Sequence, residues 1–323
     1  MAQLLKLQDY VSRYEMDLYR YPSQFVRLKK QQWDKTYQTW ELGEKHHLLQ
    51  RLENLPTVSP ERTFFRKFKS YFSKGKEIER TLFDQRDMEA DEGFTFETSF
   101  HTLPVEEDEL KKHFLDQLFQ FQMKWASSTL TEKSYIDSSY YRDDNLRYLL
   151  QRFPDTYLVF YNPVLQLKNA PVELEILVLT PKELICITML ESNDGTAYIG
   201  SNERFWIEKY KDREKKILNP VISLNRMEKI IKNILSIHSV DLPVKKLILS
   251  RNGFLDYPSA PYHVELVDQR KYPQWFEEMR MFRSPLKNVQ IRAAQAVLSY
   301  CQTTSFKRLE WDNDEDRDFS KGD

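Results

Sequence analysis

The stretch Val172 to Glu191, VELEILVLTPKELICITMLE, constrains this chain more than any other. On an extended strand Val172, Leu174, Ile176 and Val178 fall on one side, and Glu173, Glu175, Leu177 and Leu179 on the other. The turn Thr180-Pro181-Lys182-Glu183 follows, then the apolar run Leu184-Ile185-Cys186-Ile187-Thr188-Met189-Leu190. Two β-rich runs joined by a Pro-containing turn predict a hairpin, and the second run is apolar enough to be buried on both faces.

With 323 residues the chain can hold one large domain or two modest ones. A charged fraction of 30% and a mean hydropathy of -0.65 describe a heavily solvated surface. The net charge of -1 excludes a globally basic nucleic-acid coat, so any such contact needs a local patch. Cys186 and Cys301 have no Cys-x-x-Cys spacing, which argues against a zinc ribbon or disulfide framework and for a reducing compartment. Charged residues throughout Met1 to Tyr21 argue against a signal peptide or membrane anchor, and no later stretch reaches spanning length. The expected location is cytoplasmic. Seven glycines leave little room for Gly-rich phosphate loops.

Leu4, Leu7, Val11, Tyr14, Leu18 and Tyr21 have helical spacing and predict an amphipathic helix, interrupted at Pro22. A second helix is expected from about Ser23 to Leu55, with Phe25, Leu28, Trp33, Tyr37 and Trp40 on one stripe. Aromatic stripes of this kind are mostly packing surfaces; a protein partner is the functional alternative. Arg62, Arg66, Lys67, Lys69, Lys74 and Lys76 are interleaved with Phe64, Phe65, Phe68, Tyr71 and Phe72 in a segment without acids. That mixture suits phosphate pairing with base stacking, or an anionic surface; equally, the aromatics could enter a core and leave the basic face solvated. An acidic stretch from Asp84 to Glu109 follows, then a helix from about Glu106 to Trp125 and another from Asp143 to Phe153. Beyond Tyr157 strands dominate: Tyr157–Tyr161, the central hairpin, Ala197–Gly200, Phe205–Ile207, Val244–Leu249 and His263–Val267. A helix opens at Asn219-Pro220, and two more are expected over Asp268–Met281 and Asn288–Tyr300. The pattern implies an α/β (α+β) core of about five strands flanked by helices, preceded by an N-terminal helical arm. The boundaries are arm and acidic linker over 1–104, core over 105–272, C-terminal helical extension over 273–310, and acidic disordered tail over 311–323.

From about Leu110 to Tyr272 the chain resembles the nuclease-related domain (NERD) family of bacterial proteins, which has the restriction-endonuclease-like PD-(D/E)XK fold. The resemblance rests on an ordered series: Glu175 on a hydrophobic strand, LTPKELICITML, Gly195, Gly200-Ser201, Trp206, Asn219-Pro220 and the strand Lys246–Ser250. It implies a Mg²⁺ site with an acid on the first strand and a Glu and a Lys two apart on the second. The carboxylates would hold the hard cation, the metal would activate water, and the Lys would orient it. Carried over by position, Glu175 fills the acid's place, Thr188 the Glu's and Leu190 the Lys's. A hydroxyl and an aliphatic chain cannot replace a carboxylate and an ammonium, so the implied site is degenerate.

The expectation is a catalytically inactive nuclease-like protein that binds DNA or RNA, Arg62 to Lys76 being the first suspect, or a protein partner through Trp33, Tyr37 and Trp40. No cofactor is then expected. The enzyme alternative relocates Mg²⁺ to Glu173, Glu175 and Glu191, which requires the second strand to shift by one residue against the burial of its faces. His46-His47 and His113 with Asp116 are weaker ligand candidates. Lys209, Lys211, Arg213, Lys215 and Lys216 alternate with acids and are expected to be a solvated face.

Overall fold

The computed structural model describes residues 1–53, 106–168, 170–282 and 284–308. Arg62 to Lys76, most of the acidic stretch and the tail lie outside the described residues, as do the side chains of His46 and His47. The chain divides into two compact units, one of residues 1–29 with 115–323, the other of residues 30–114.

A mixed six-stranded sheet organises the first unit. Its order is β1 (Gln3–Leu7), β3 (Leu158–Tyr161), β6 (Ile176–Leu179), β7 (Leu184–Met189), β11 (Val244–Leu249) and β13 (Val264–Val267). The expected hairpin forms as β6 and β7, antiparallel, with Ile176 opposite Ile187 and Leu179 opposite Leu184. Its turn is closed by Thr180, whose amide and hydroxyl both donate to the carbonyl of Glu183. β7 then runs parallel to β11, and β11 parallel to β13.

One face of the sheet carries Val159, Ile176, Val178, Ile185, Ile187, Leu247 and Leu249. These residues form a core with Phe119 and Met123 of α2 (Glu107–Trp125), Leu146 and Leu149 of α3 (Asp144–Arg152), and Trp275 of α5 (Tyr272–Met281). α4 (Pro220–Ile237) covers the other face and presents Leu224, Met227, Ile231 and Ile234. Asn219 caps α4 by accepting from the Val221 amide at 3.0 Å, and Pro220 sits where the helix needs no N–H. α6 (Asn288–Leu298) packs on α4.

A second sheet holds β8 (Ala197–Ile199), β9 (Phe205–Tyr210), β10 (Arg213–Leu218) and β12 (Phe254–Asp256) in the order β10-β9-β8-β12. Two smaller pairs complete the sheets, β4 (Val164–Gln166) with β5 (Pro171–Glu173) and β2 (Glu132–Lys133) with β14 (Phe306–Lys307).

Two expectations change. The helix expected over Leu4 to Tyr21 is instead strand β1 followed by a short 3-10 turn at Arg13–Glu15. Residues Gln3 to Leu7 are all buried, and β1 pairs in parallel with β3, so tertiary pairing overrides an incidental helical spacing. Lys6 tolerates that burial because Glu15 and the Thr303 hydroxyl receive its amine. The arm expected over 1–104 is thereby divided, since residues 1–29 join the core unit. The second helix does form, as α1 (Arg20–Glu53), with Pro22 tolerated in its first turn. The strand expected over Phe205–Ile207 extends through the charged run as hairpin β9–β10, with Lys211 at φ 52 in its turn, and Lys209, Lys211, Arg213, Lys215 and Lys216 are exposed there.

In the second unit Trp33 stacks edge-on against Phe114 of α2 at 5.1 Å and lies 5.9 Å from Tyr37, which lies 5.7 Å from Trp40. The aromatic stripe is therefore engaged with its own chain.

Candidate functional site

Sheet register and α4 together shape a cavity of about 220 Å³ at the end of the central hairpin. Glu175, Thr188, Leu190 and Glu191 line it, with Tyr198 and Glu208 from the second sheet and Asn219 and Ser223 from the start of α4. Glu173 does not. The strand expected to carry both Glu173 and Glu175 is broken: Glu173 ends β5 opposite Val164, and β6 begins at Ile176 opposite Tyr161. The cause lies in the facing strand. Pro163 offers no amide to the ladder and Asn162 takes a left-handed φ of 48, so the ladder is distorted at Leu174 and Glu175. The Asn162 amide still donates to the Glu175 carbonyl at 2.8 Å, and the Leu174 amide to the Pro163 carbonyl at 2.9 Å.

Glu175 is half-buried against α4. Its carboxylate accepts from the Ser223 hydroxyl, and its amide faces the Met227 sulfur at 3.3 Å. Thr188 is buried, and its hydroxyl has no hydrogen-bond partner. Leu190 donates its amide to the Leu249 carbonyl at 2.9 Å and brings only an aliphatic side chain to the cavity.

Glu191 is engaged elsewhere. Both its oxygens accept from the Arg251 guanidinium, which lies 4.1 Å over the Tyr148 ring and donates to Asn145 Oδ1 at 2.9 Å. Burial opposes the charge on Arg251, but the Glu191 carboxylate outweighs it and holds the guanidinium above its ordinary range. A carboxylate held at two points by arginine keeps little capacity for a metal.

On the far wall Tyr198 faces Glu208 across the β8–β9 ladder. Burial, then the Glu208 and Glu191 charges, push the Tyr198 hydroxyl well above its usual range, so it remains a proton donor at neutral pH. Glu208 has a loose counter-ion in Lys215 at 4.0 Å.

Besides Lys6, the central sheet buries a second lysine, on β11. Lys246 of β11 pairs in register with Cys186 and points toward α4, where its amine bonds Glu228 at 2.6 Å and Asn225 Oδ1 at 2.8 Å. It does not line the cavity. Among the described residues no group of three or more His, Cys, Asp or Glu side chains is placed to hold a metal. Asp116, the proposed partner of His113, accepts instead from Arg147 and Gln151.

Glu208, Tyr198, Arg251, Ser223 and Lys246 were not singled out in sequence as site residues. For Glu208 a signal exists: alternation in Phe205–Tyr210 places it on the same side as the buried Trp206. Arg251 and Lys246 carry no local signal, since their partners lie 60 and 18 positions away along the chain (251 − 191 and 246 − 228).

A family model described as "Nuclease-related domain" matches residues 140–250, about a third of the chain. An RNA 2',3'-cyclic phosphodiesterase of Geobacillus stearothermophilus is 56% identical over 41 residues, which is 13% of this chain and 13% of that protein. The chain thus spans a small part of that curated relative. No solved structure matches. No helix among the described residues is long and apolar enough to cross a membrane. The mixed six-stranded sheet agrees with the restriction-endonuclease-like core that such domains have, and every residue lining the cavity at Thr188 falls within the matched segment. Residues 140–250 of this chain therefore match the nuclease-related domain family, within a sheet whose edge strands β1 and β13 lie outside the matched segment.

Proposed function

We propose that this chain is a catalytically silent nuclease-related protein that acts by binding nucleic acid. One observation carries the reading: at the hairpin end the ammonium position holds Leu190, while the nearby acid Glu191 is neutralised by Arg251. Hydrolysis of a phosphodiester needs a metal-activated water and a cation to balance developing charge. The remaining carboxylates, Glu175 and Glu208, lack that cation within the cavity. Lys246, the buried amine on the same sheet face, is already satisfied by Glu228 and Asn225. The short likeness to a protein named for RNA phosphodiester chemistry keeps nucleic acid as the favoured ligand over a protein partner. The aromatic stripe on α1 favours the same choice, because it packs against Phe114.

The test is a digestion and gel-shift assay on single- and double-stranded DNA and RNA, with and without Mg²⁺ or Mn²⁺. The expected result is association that weakens steeply with salt, and no cleavage. Metal-dependent cleavage abolished by Glu175→Ala would establish the enzyme with relocated carboxylates instead.

A further inference from the structure

A larger cavity, of about 570 Å³, lies in the same unit at the opposite end of the central sheet. Its floor is the loop between α3 and β3. Leu158, just after this loop, pairs with Leu179, whereas the cavity at Thr188 adjoins the other end of β6 at Ile176. Lys29, Arg152 and Arg280 line it against one acid, Asp155, so its charged side chains sum to +2 (three cations less one carboxylate). Asp155 is occupied by Lys29. Among the described residues neither Arg152 nor Arg280 has an ion-pair partner; the Arg280 guanidinium lies 5.3 Å over the Phe276 ring.

Arg152 and Arg280 each stand at the C-terminal end of a helix, where a cation is favoured without any ligand. Their position alone therefore demands nothing. Thr156 adds a second, independent observation. Thr156 lines the same cavity, and its hydroxyl is buried behind that wall with no hydrogen-bond partner, which is costly unless something accepts from it. Lys29 and Arg280 line the cavity together with Met1, so both cations face one recess. Two guanidinium forks, an ammonium and a free hydroxyl donor in one recess match a tetrahedral dianion with several acceptor oxygens.

We propose that this cavity binds a phosphate monoester through Arg152, Arg280 and the Thr156 hydroxyl, with Lys29 supplying further positive charge. A volume of this order admits the phosphate together with the group it is attached to. The site stands whether or not the nuclease-related domain binds nucleic acid.

Calorimetry on the full chain tests it, with inorganic phosphate, a 5′-mononucleotide, and one oligonucleotide carrying either a 5′-phosphate or a 5′-hydroxyl. Inorganic phosphate should bind saturably in the millimolar range or tighter. Thr156→Val should weaken it severalfold, and Arg152→Gln with Arg280→Gln at least tenfold, with the unfolding transition preserved because both arginines are exposed. Tighter binding of the mononucleotide identifies a small metabolite as the source, whereas a preference for the 5′-phosphorylated strand over its 5′-hydroxyl twin identifies a strand end. Absence of phosphate binding by the full chain overturns the proposal. So does phosphate binding that survives both sets of substitutions unchanged.

Discussion

Glu228→Gln and Lys246→Met break the same ion pair and should differ sharply in cost. The Lys246 side chain is 2% exposed and that of Glu228 19% exposed. At 2.6 Å and an effective dielectric near 20, their gross attraction is about 6 kcal/mol, largely cancelled by removing both charges from water. What a substitution reveals is therefore the stranded partner. Glu228→Gln leaves a buried ammonium with only neutral acceptors, Asn225 and the new amide, and should cost about 3 kcal/mol. Lys246→Met leaves a carboxylate that is partly hydrated and still bonded to Lys232 at 2.8 Å, at about 1 kcal/mol or less. The double variant strands no charge, so it should recover about 2 kcal/mol relative to the sum of the singles. Urea unfolding of the four proteins measures this directly. Equal costs for the two single variants, or a larger one for Lys246→Met, would refute the reasoning.

Further expectations concern protons and the hairpin. Although burial raises the carboxyls of Glu228 and Asp268, hydrogen bonds from Lys232 and Lys246, and from Arg270, outweigh it and hold both below their ordinary values of 4.5 and 3.8. A carboxylate depressed in the folded state stabilises fully above its unfolded pKa. That stability should fall away below pH 4.5, and Glu228→Gln should flatten this acid limb in unfolding curves recorded from pH 6 to 3. Thr188→Val replaces an unpartnered buried hydroxyl with a methyl group and should raise stability by about 1 kcal/mol in the same assay; a loss of that size would mean that the hydroxyl is satisfied in solution. Burial pushes both cysteine thiols up to about 12, but Cys186 is fully buried and Cys301 only partly, so a thiol reagent at pH 8 should label Cys301 slowly and Cys186 only in denaturant; rapid native labelling of Cys186 would contradict its placement.

Much of the architecture follows from local pattern. The run from Ile176 to Met189 has apolar residues on both faces and a turn built on Thr180-Pro181, and it makes the hairpin wherever it is placed. Asn219-Pro220 starts α4 for an equally local reason, a side-chain cap before a residue that needs no N–H. The resemblance to nuclease-related domains was legible too, because it rests on the order of such elements, and with it the aliphatic residue at position 190. Other features depend on partners far away in the chain. β1 is a strand because β3, more than 150 residues later, offers a ladder to it. Glu173 parts from Glu175 because Pro163 interrupts the facing strand. Glu191 loses its freedom to Arg251, and Lys246 to Glu228. Periodicity records which faces are buried, since every residue of an element meets the same solvent boundary. It carries no record of which buried charge meets which, and that pairing, decided only in the folded chain, governs whether the carboxylates at the hairpin end are free to act.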